Sequence, residues 1–87
     1  MPMYRKKPVV IEAFQFDSET TGNAIVKWSA GMVRGVFDDD EGPYLSIETH
    51  EGIMRATLGD WVIKGIAHEY YPCKDDIFQA TYDQAGE

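Results

Sequence analysis

The chain has 87 residues, 44% of them hydrophobic, 13% aromatic and 26% charged, with a net charge of −7. This length makes one domain, residues 1–87, that buries only about 60–65% of the surface its unfolded form exposes. The single cysteine excludes an intramolecular disulfide, and no run approaches the roughly 18–20 apolar residues of a membrane helix.

The charge is unevenly placed. Arg5, Lys6 and Lys7 precede the first apolar run, and from Ile11 onward five basic residues face fifteen acidic ones. Such a surface repels phosphates, so direct nucleic-acid binding is not expected. Val9, Val10 and Ile11 are interrupted by Glu12 too early for a signal-peptide core. The expectation is a soluble, cytoplasmic protein.

In chain order, residues 8–16 ("PVVIEAFQF") are rich in β-branched and aromatic residues and predict a first strand. Val10, Glu12, Phe14 and Phe16 share one face. Glu12 is out of place there unless the strand ends nearby or a basic side chain meets it. The period then changes to helical over residues 21–30, with Ile25 and Trp28 on one stripe. Thr21 or Asn23 is the expected N-cap, and Gly31 suits the position after the last turn.

Strand character returns at residues 32–37, followed by a solvated loop at "DDDEGP", where four adjacent carboxylates repel one another. "YLSIETH" and "IMRATL" predict a hairpin whose Gly52 takes positive φ. Leu45, Ile47, Met54, Ala56 and Leu58 are expected inside; Arg55 and Thr57 point outward. Gly59-Asp60 makes the next corner. Two strands, "WVIKG" and "EYYPC", follow with a turn at residues 66–68, and Pro72 suits an edge or terminal strand position. Asp75 is the expected cap of a short final helix that docks through Ile77, Phe78 and Tyr82. The fold class is α+β: a small, mostly antiparallel sheet of about five or six strands with two short helices.

Candidate chemistry gathers near the end. Cys73 stands beside Lys74 and before a helix, with His68 across a turn, a setting that lowers a thiol pKa where the geometry permits. Together with Asp60 these residues are the candidates for catalysis or small-ligand binding. Ordinary packing of a small thiol explains Cys73 better, because no oxyanion hole or orienting third residue is recognisable. The spacings of Cys73, His50 and His68 match no paired zinc motif, and Asp38, Asp39, Asp40 and Glu41 lack the ligand alternation of a calcium loop. No metal and no cofactor is expected, and the glycines form no phosphate cradle. Asp60 reads as a turn former bonding nearby amides. Alternation sends Tyr70 and Tyr71 to opposite faces of one strand, so one of them reaches the surface. Tyr70 and the acidic run Asp38–Glu41 are the candidate protein-binding residues.

"YRKKPVVIEAFQF", "LGDWVIKG" and "EYYPCKDDIFQATY" together resemble a family of small bacteriophage and prophage proteins. Their terminal pattern is P-G-D-W-[IV]-I-x-G-x-x-x-E-[FY]-Y-P-C-K-x-D-I-F-x-x-T-Y. The likeness covers both ends, about half the chain. Leu58 replaces the usual proline, and Ala67-His68 stands where a Lys-Gly turn is common. The resemblance implies a phage origin and no particular chemistry.

The expected function is therefore a noncatalytic phage accessory protein that binds a host or phage protein. Its sharper form is an acidic inhibitor of a host nucleic-acid-binding or defence protein. The alternatives are a small enzyme or ligand-binding protein using Cys73, His68 and Asp60, and a self-assembling structural protein built on a homodimer.

Overall fold

The computed structural model describes residues 1–5 and 7–84; Lys6 of the basic cluster lies outside them. The elements run β1 (Glu12–Gln15), α1 (Glu19–Trp28), β2 (Val33–Val36), β3 (Tyr44–Thr49), β4 (Gly52–Thr57), β5 (Trp61–Lys64), β6 (Tyr70–Cys73) and α2 (Asp75–Thr81). The fold is α+β and its strand pairs are antiparallel, but the strands make two three-stranded sheets rather than one. One sheet has the order β1-β5-β6 and the other is the meander β2-β3-β4.

The division follows from the Gly59-Asp60 corner. Gly59, at φ 99°, lets the chain leave β4 and donate its N–H to the Phe16 carbonyl at 2.7 Å, while Phe16 N–H donates to the Asp60 carbonyl at 2.8 Å. This pair carries the chain across to β1, so β5 extends the first sheet instead of the second. A left-handed φ is inexpensive only for glycine.

The two sheets face each other. Phe16, Val62 and Tyr70 come from the first, Val33, Leu45, Ile47 and Ala56 from the second, and Ile25 from α1 fills the side between them. Met54 and Leu58, expected inside, remain 43% and 53% exposed. Met54 sits on the border strand of its sheet, and Leu58 follows the strand end, where the chain is already turning. Arg55 points outward as expected and lies 4.0 Å above the Tyr44 ring.

Several boundaries shift for local reasons. β1 begins at Glu12, not Pro8, because its partner β5 ends at Lys64, opposite Glu12. Helix α1 is capped by Ser18 rather than Thr21 or Asn23. Thr21 N–H donates to Ser18 Oγ at 3.2 Å and Ser18 N–H donates to Thr21 Oγ1 at 3.0 Å, a capping box with threonine in the returning position. At the other end buried Ser29 donates to the Val26 carbonyl at 2.9 Å and accepts Val33 N–H at 3.0 Å, tying the helix to β2. Glu12 is the first residue of β1, opposite Lys64; among the described residues it makes no ion pair and accepts the Trp28 indole N–H at 2.8 Å.

Candidate functional site

The terminal motif is assembled around two carboxylates. Asp60 is only 6% exposed. Its Oδ2 accepts Thr57 N–H at 2.9 Å, Thr57 Oγ1–H at 3.4 Å and the Lys74 ammonium at 3.3 Å. A carboxylate taken out of water needs such partners, and here they fasten the β4–β5 corner to the start of α2. Asp60 thus binds the nearby amide that the sequence indicates.

Asp75 does not cap α2. Lys74 occupies that position without a side-chain bond, and Asp75 Oδ1 instead accepts the Trp61 indole N–H at 2.8 Å, Gln79 Nε2–H at 3.3 Å and Gln15 Nε2–H at 3.4 Å. Trp61 stacks flat on Phe78, with centroids 3.9 Å apart and planes 6° apart, and Phe78 meets Tyr82 at 5.0 Å. Both rings are half-buried on the outer face of the first sheet, not in the core between the sheets.

The Trp61 hydrogen bond, followed by that of Gln79, holds the Asp75 carboxyl below its ordinary value of 3.8. A carboxyl whose pKa is lower folded than unfolded stabilises the fold above the unfolded value, and that contribution is lost as pH falls through the folded one. Acidification from pH 3.8 downward is therefore expected to loosen α2 from Trp61. The near-ultraviolet circular dichroism of the indole should change in that window, and Asp75→Asn should remove the transition.

The catalytic candidates do not converge. In the β5–β6 hairpin Trp61 faces Cys73 at one end and Lys64 faces Tyr70 at the other. His68 lies in the turn beyond Tyr70, at φ 64°. Cys73 lies three residue steps along the strand from Tyr70, so His68 is roughly 10 Å or more from the thiol along the ladder. Asp60 does lie near Cys73, with the wrong charge for activation. Burial first, then the Asp60 and Asp76 carboxylates, raise the Cys73 pKa above its ordinary value. The Lys74 ammonium that could offset them is turned to Asp60. A thiol in this setting is mostly protonated at neutral pH and a poor nucleophile.

Of the binding candidates, Tyr70 is buried at 6% exposure, edge-on to Trp28 at 5.2 Å. Tyr70 shares the face of Val62 and Phe14, which is turned toward the second sheet. Its neighbour Tyr71 takes the outer face, where burial, then a hydrogen bond with Tyr82, pushes its pKa up to about 12. Asp38, Asp39, Asp40 and Glu41 are all exposed. Asp39 Oδ2 accepts Glu41 N–H at 3.0 Å, which bends the loop. Among the described residues no three His, Cys, Asp or Glu side chains come together as a metal-holding group, and no helix is long and apolar enough to cross a membrane.

Two features were not anticipated. The first is a groove of about 640 Å³ between the chain from Val9 to Phe14 and Trp61, Phe78, Gln79 and Tyr82. The aromatic spacing of "GDW" and "DIF" contains that signal only once β5 and α2 are known to be neighbours. The second is how little of the acidic surface is paired. Twelve carboxylates of the described residues are exposed, and the one ion pair among those residues joins Lys74 to buried Asp60. No protein-family model, curated protein or solved structure matches the chain.

Proposed function

We propose that this chain is a noncatalytic accessory protein of bacteriophage or prophage origin that binds a basic surface on a partner protein. The observation that carries this reading is the set of twelve exposed carboxylates, none in an ion pair within the described chain. Their field is free to steer a positively charged partner. The titratable residues of the terminal motif favour the same reading by default. Asp60, Lys74 and Asp75 are spent on docking α2, and Cys73 has no histidine beside it. In its sharper form the partner is a host protein that binds nucleic acid or acts in defence. The carboxylates occupy the places of phosphates, and the encounter takes place in the host cytoplasm.

The test is affinity capture from host cells by the tagged protein, at low salt and again at about 0.5 M, where the screening length falls to roughly 4 Å. A companion variant neutralises the loop: Asp38→Asn, Asp39→Asn, Asp40→Asn and Glu41→Gln. The expected outcome is a basic partner lost at high salt, displaced by a DNA oligonucleotide, and captured on the order of tenfold more slowly by the variant. Retention that ignores both salt and the variant sinks the reading.

A second reading, a small-ligand-binding protein, is favoured by the aromatic groove beside Trp61. It places the site on residues other than Cys73 and His68.

A further inference from the structure

β1 borders its sheet, and among the described residues it pairs with β5 alone. Phe16 tells which backbone groups are already used. Its N–H and carbonyl both bond the Gly59-Asp60 segment leading into β5, so this residue faces inward along the sheet. Alternate residues of an antiparallel strand direct their backbone groups to opposite edges. Phe14 and Glu12 therefore face β5, whereas Gln15, Ala13 and Ile11 aim N–H and C=O at the open edge. Upstream, Val9 and Val10 prolong the β-branched run at 43% and 82% exposure and belong to no strand. An uncovered edge of this kind is a template for another strand.

Charge and parity together identify the occupant. A second copy of β1, running antiparallel about a twofold axis, must set outward-facing residues against outward-facing residues. Here those are the odd-numbered positions. Arg5 and Lys7 share that parity with Asp17 and Glu19 at the entrance to α1. All four described side chains are exposed. Centring the pair on Ile11 brings Arg5 alongside Asp17 of the second copy, and centring it on Ala13 directs Lys7 toward the first turn of α1, where Glu19 stands. Centring on Glu12 sets that carboxylate opposite itself, which an antiparallel sheet disfavours. The basic segment thus finds acidic residues of the other copy in either remaining register.

We propose that the open edge of β1 is a homodimer seam, joining two sheets into one of order β6-β5-β1-β1-β5-β6 through the backbones of Ile11, Ala13 and Gln15. This rests on edge geometry and is independent of the acidic-surface reading. Sedimentation velocity over a concentration series should find a species of twice the chain mass. Ala13→Pro removes an outward N–H without touching the β5 ladder, and should leave a folded monomer by circular dichroism. Should that variant fail to fold, Arg5→Glu with Lys7→Glu serves instead. It should weaken self-association roughly tenfold, and adding Asp17→Lys with Glu19→Lys should restore it. A monomer at every concentration overturns the seam. So does a dimer that survives folded Ala13→Pro, or one indifferent to the charge reversal.

Discussion

Phe16→Ala is expected to remove about 3–5 kcal/mol of stability, a large share of what a chain of this length has. Phe16 is fully buried and stands where β1, α1 and the segment after β2 meet, its ring 6.4 Å from that of Phe37. A Cβ built on Gly22 of α1 would come within 2.9 Å of the Phe16 ring, so the helix backbone rests directly on it. Truncating a buried phenylalanine to alanine costs about 3–5 kcal/mol. A chain of this length has about 4–13 kcal/mol in total, and no disulfide offsets the loss. Urea denaturation followed by far-ultraviolet circular dichroism gives the check: the midpoint should fall steeply or vanish. Phe16→Leu, which keeps most of the volume, should retain a cooperative transition. A loss below about 1 kcal/mol for the alanine variant would mean that the two sheets do not depend on this ring.

Trp61→Ala is expected to undock α2 while leaving the two sheets together. The helix has seven residues, no side-chain cap and no buried residue, and an isolated helix of that length does not persist in water. Besides the Lys74–Asp60 contact at its start, what holds it is the flat stack of Trp61 on Phe78 and the indole N–H bond to Asp75. The alanine cost of a buried tryptophan, about 3–5 kcal/mol, is reduced here to about 2–3 kcal/mol because the ring is half-exposed. Hydrogen exchange locates the effect. Amides of residues 75–81 should lose protection, and those of β3 and β4 should keep it. Trp61→Phe preserves the stack without the hydrogen bond and should recover more than half of the protection. Uniform loss across the chain would show that α2 is part of one cooperative core.

These variants also mark how far the terminal motif explains itself. "GDW" and "CKDDIF" are separated by ten or more residues of strand and turn, yet each polar member of one finds its partner in the other: Asp60 with Lys74, Trp61 with Asp75. The motif is a docking device for a short helix. A reactive cysteine would require His68 on the same end of the hairpin, and the β5–β6 register puts it on the other.

By itself the sequence determined the order and type of all eight elements, because strand alternation, helical spacing and turn glycines act over a few residues. Gly52 and Gly59 take the positive φ their turns require, and Leu45, Ile47 and Ala56 fill the core as their alternation predicts. The acidity of the surface was equally plain, since charge is a sum that needs no fold. Only the tertiary structure decided the rest. Whether β5 joins β4 or β1 depends on hydrogen bonds between Phe16 and the Gly59-Asp60 corner, more than forty positions apart in the chain. That choice made two sheets, turned Tyr70 inward against Trp28 and left Tyr71 outside. It also left Met54 and Leu58 at a margin that alternation alone had placed inside. Periodicity tells which residues share a face; only long-range pairing tells what that face meets.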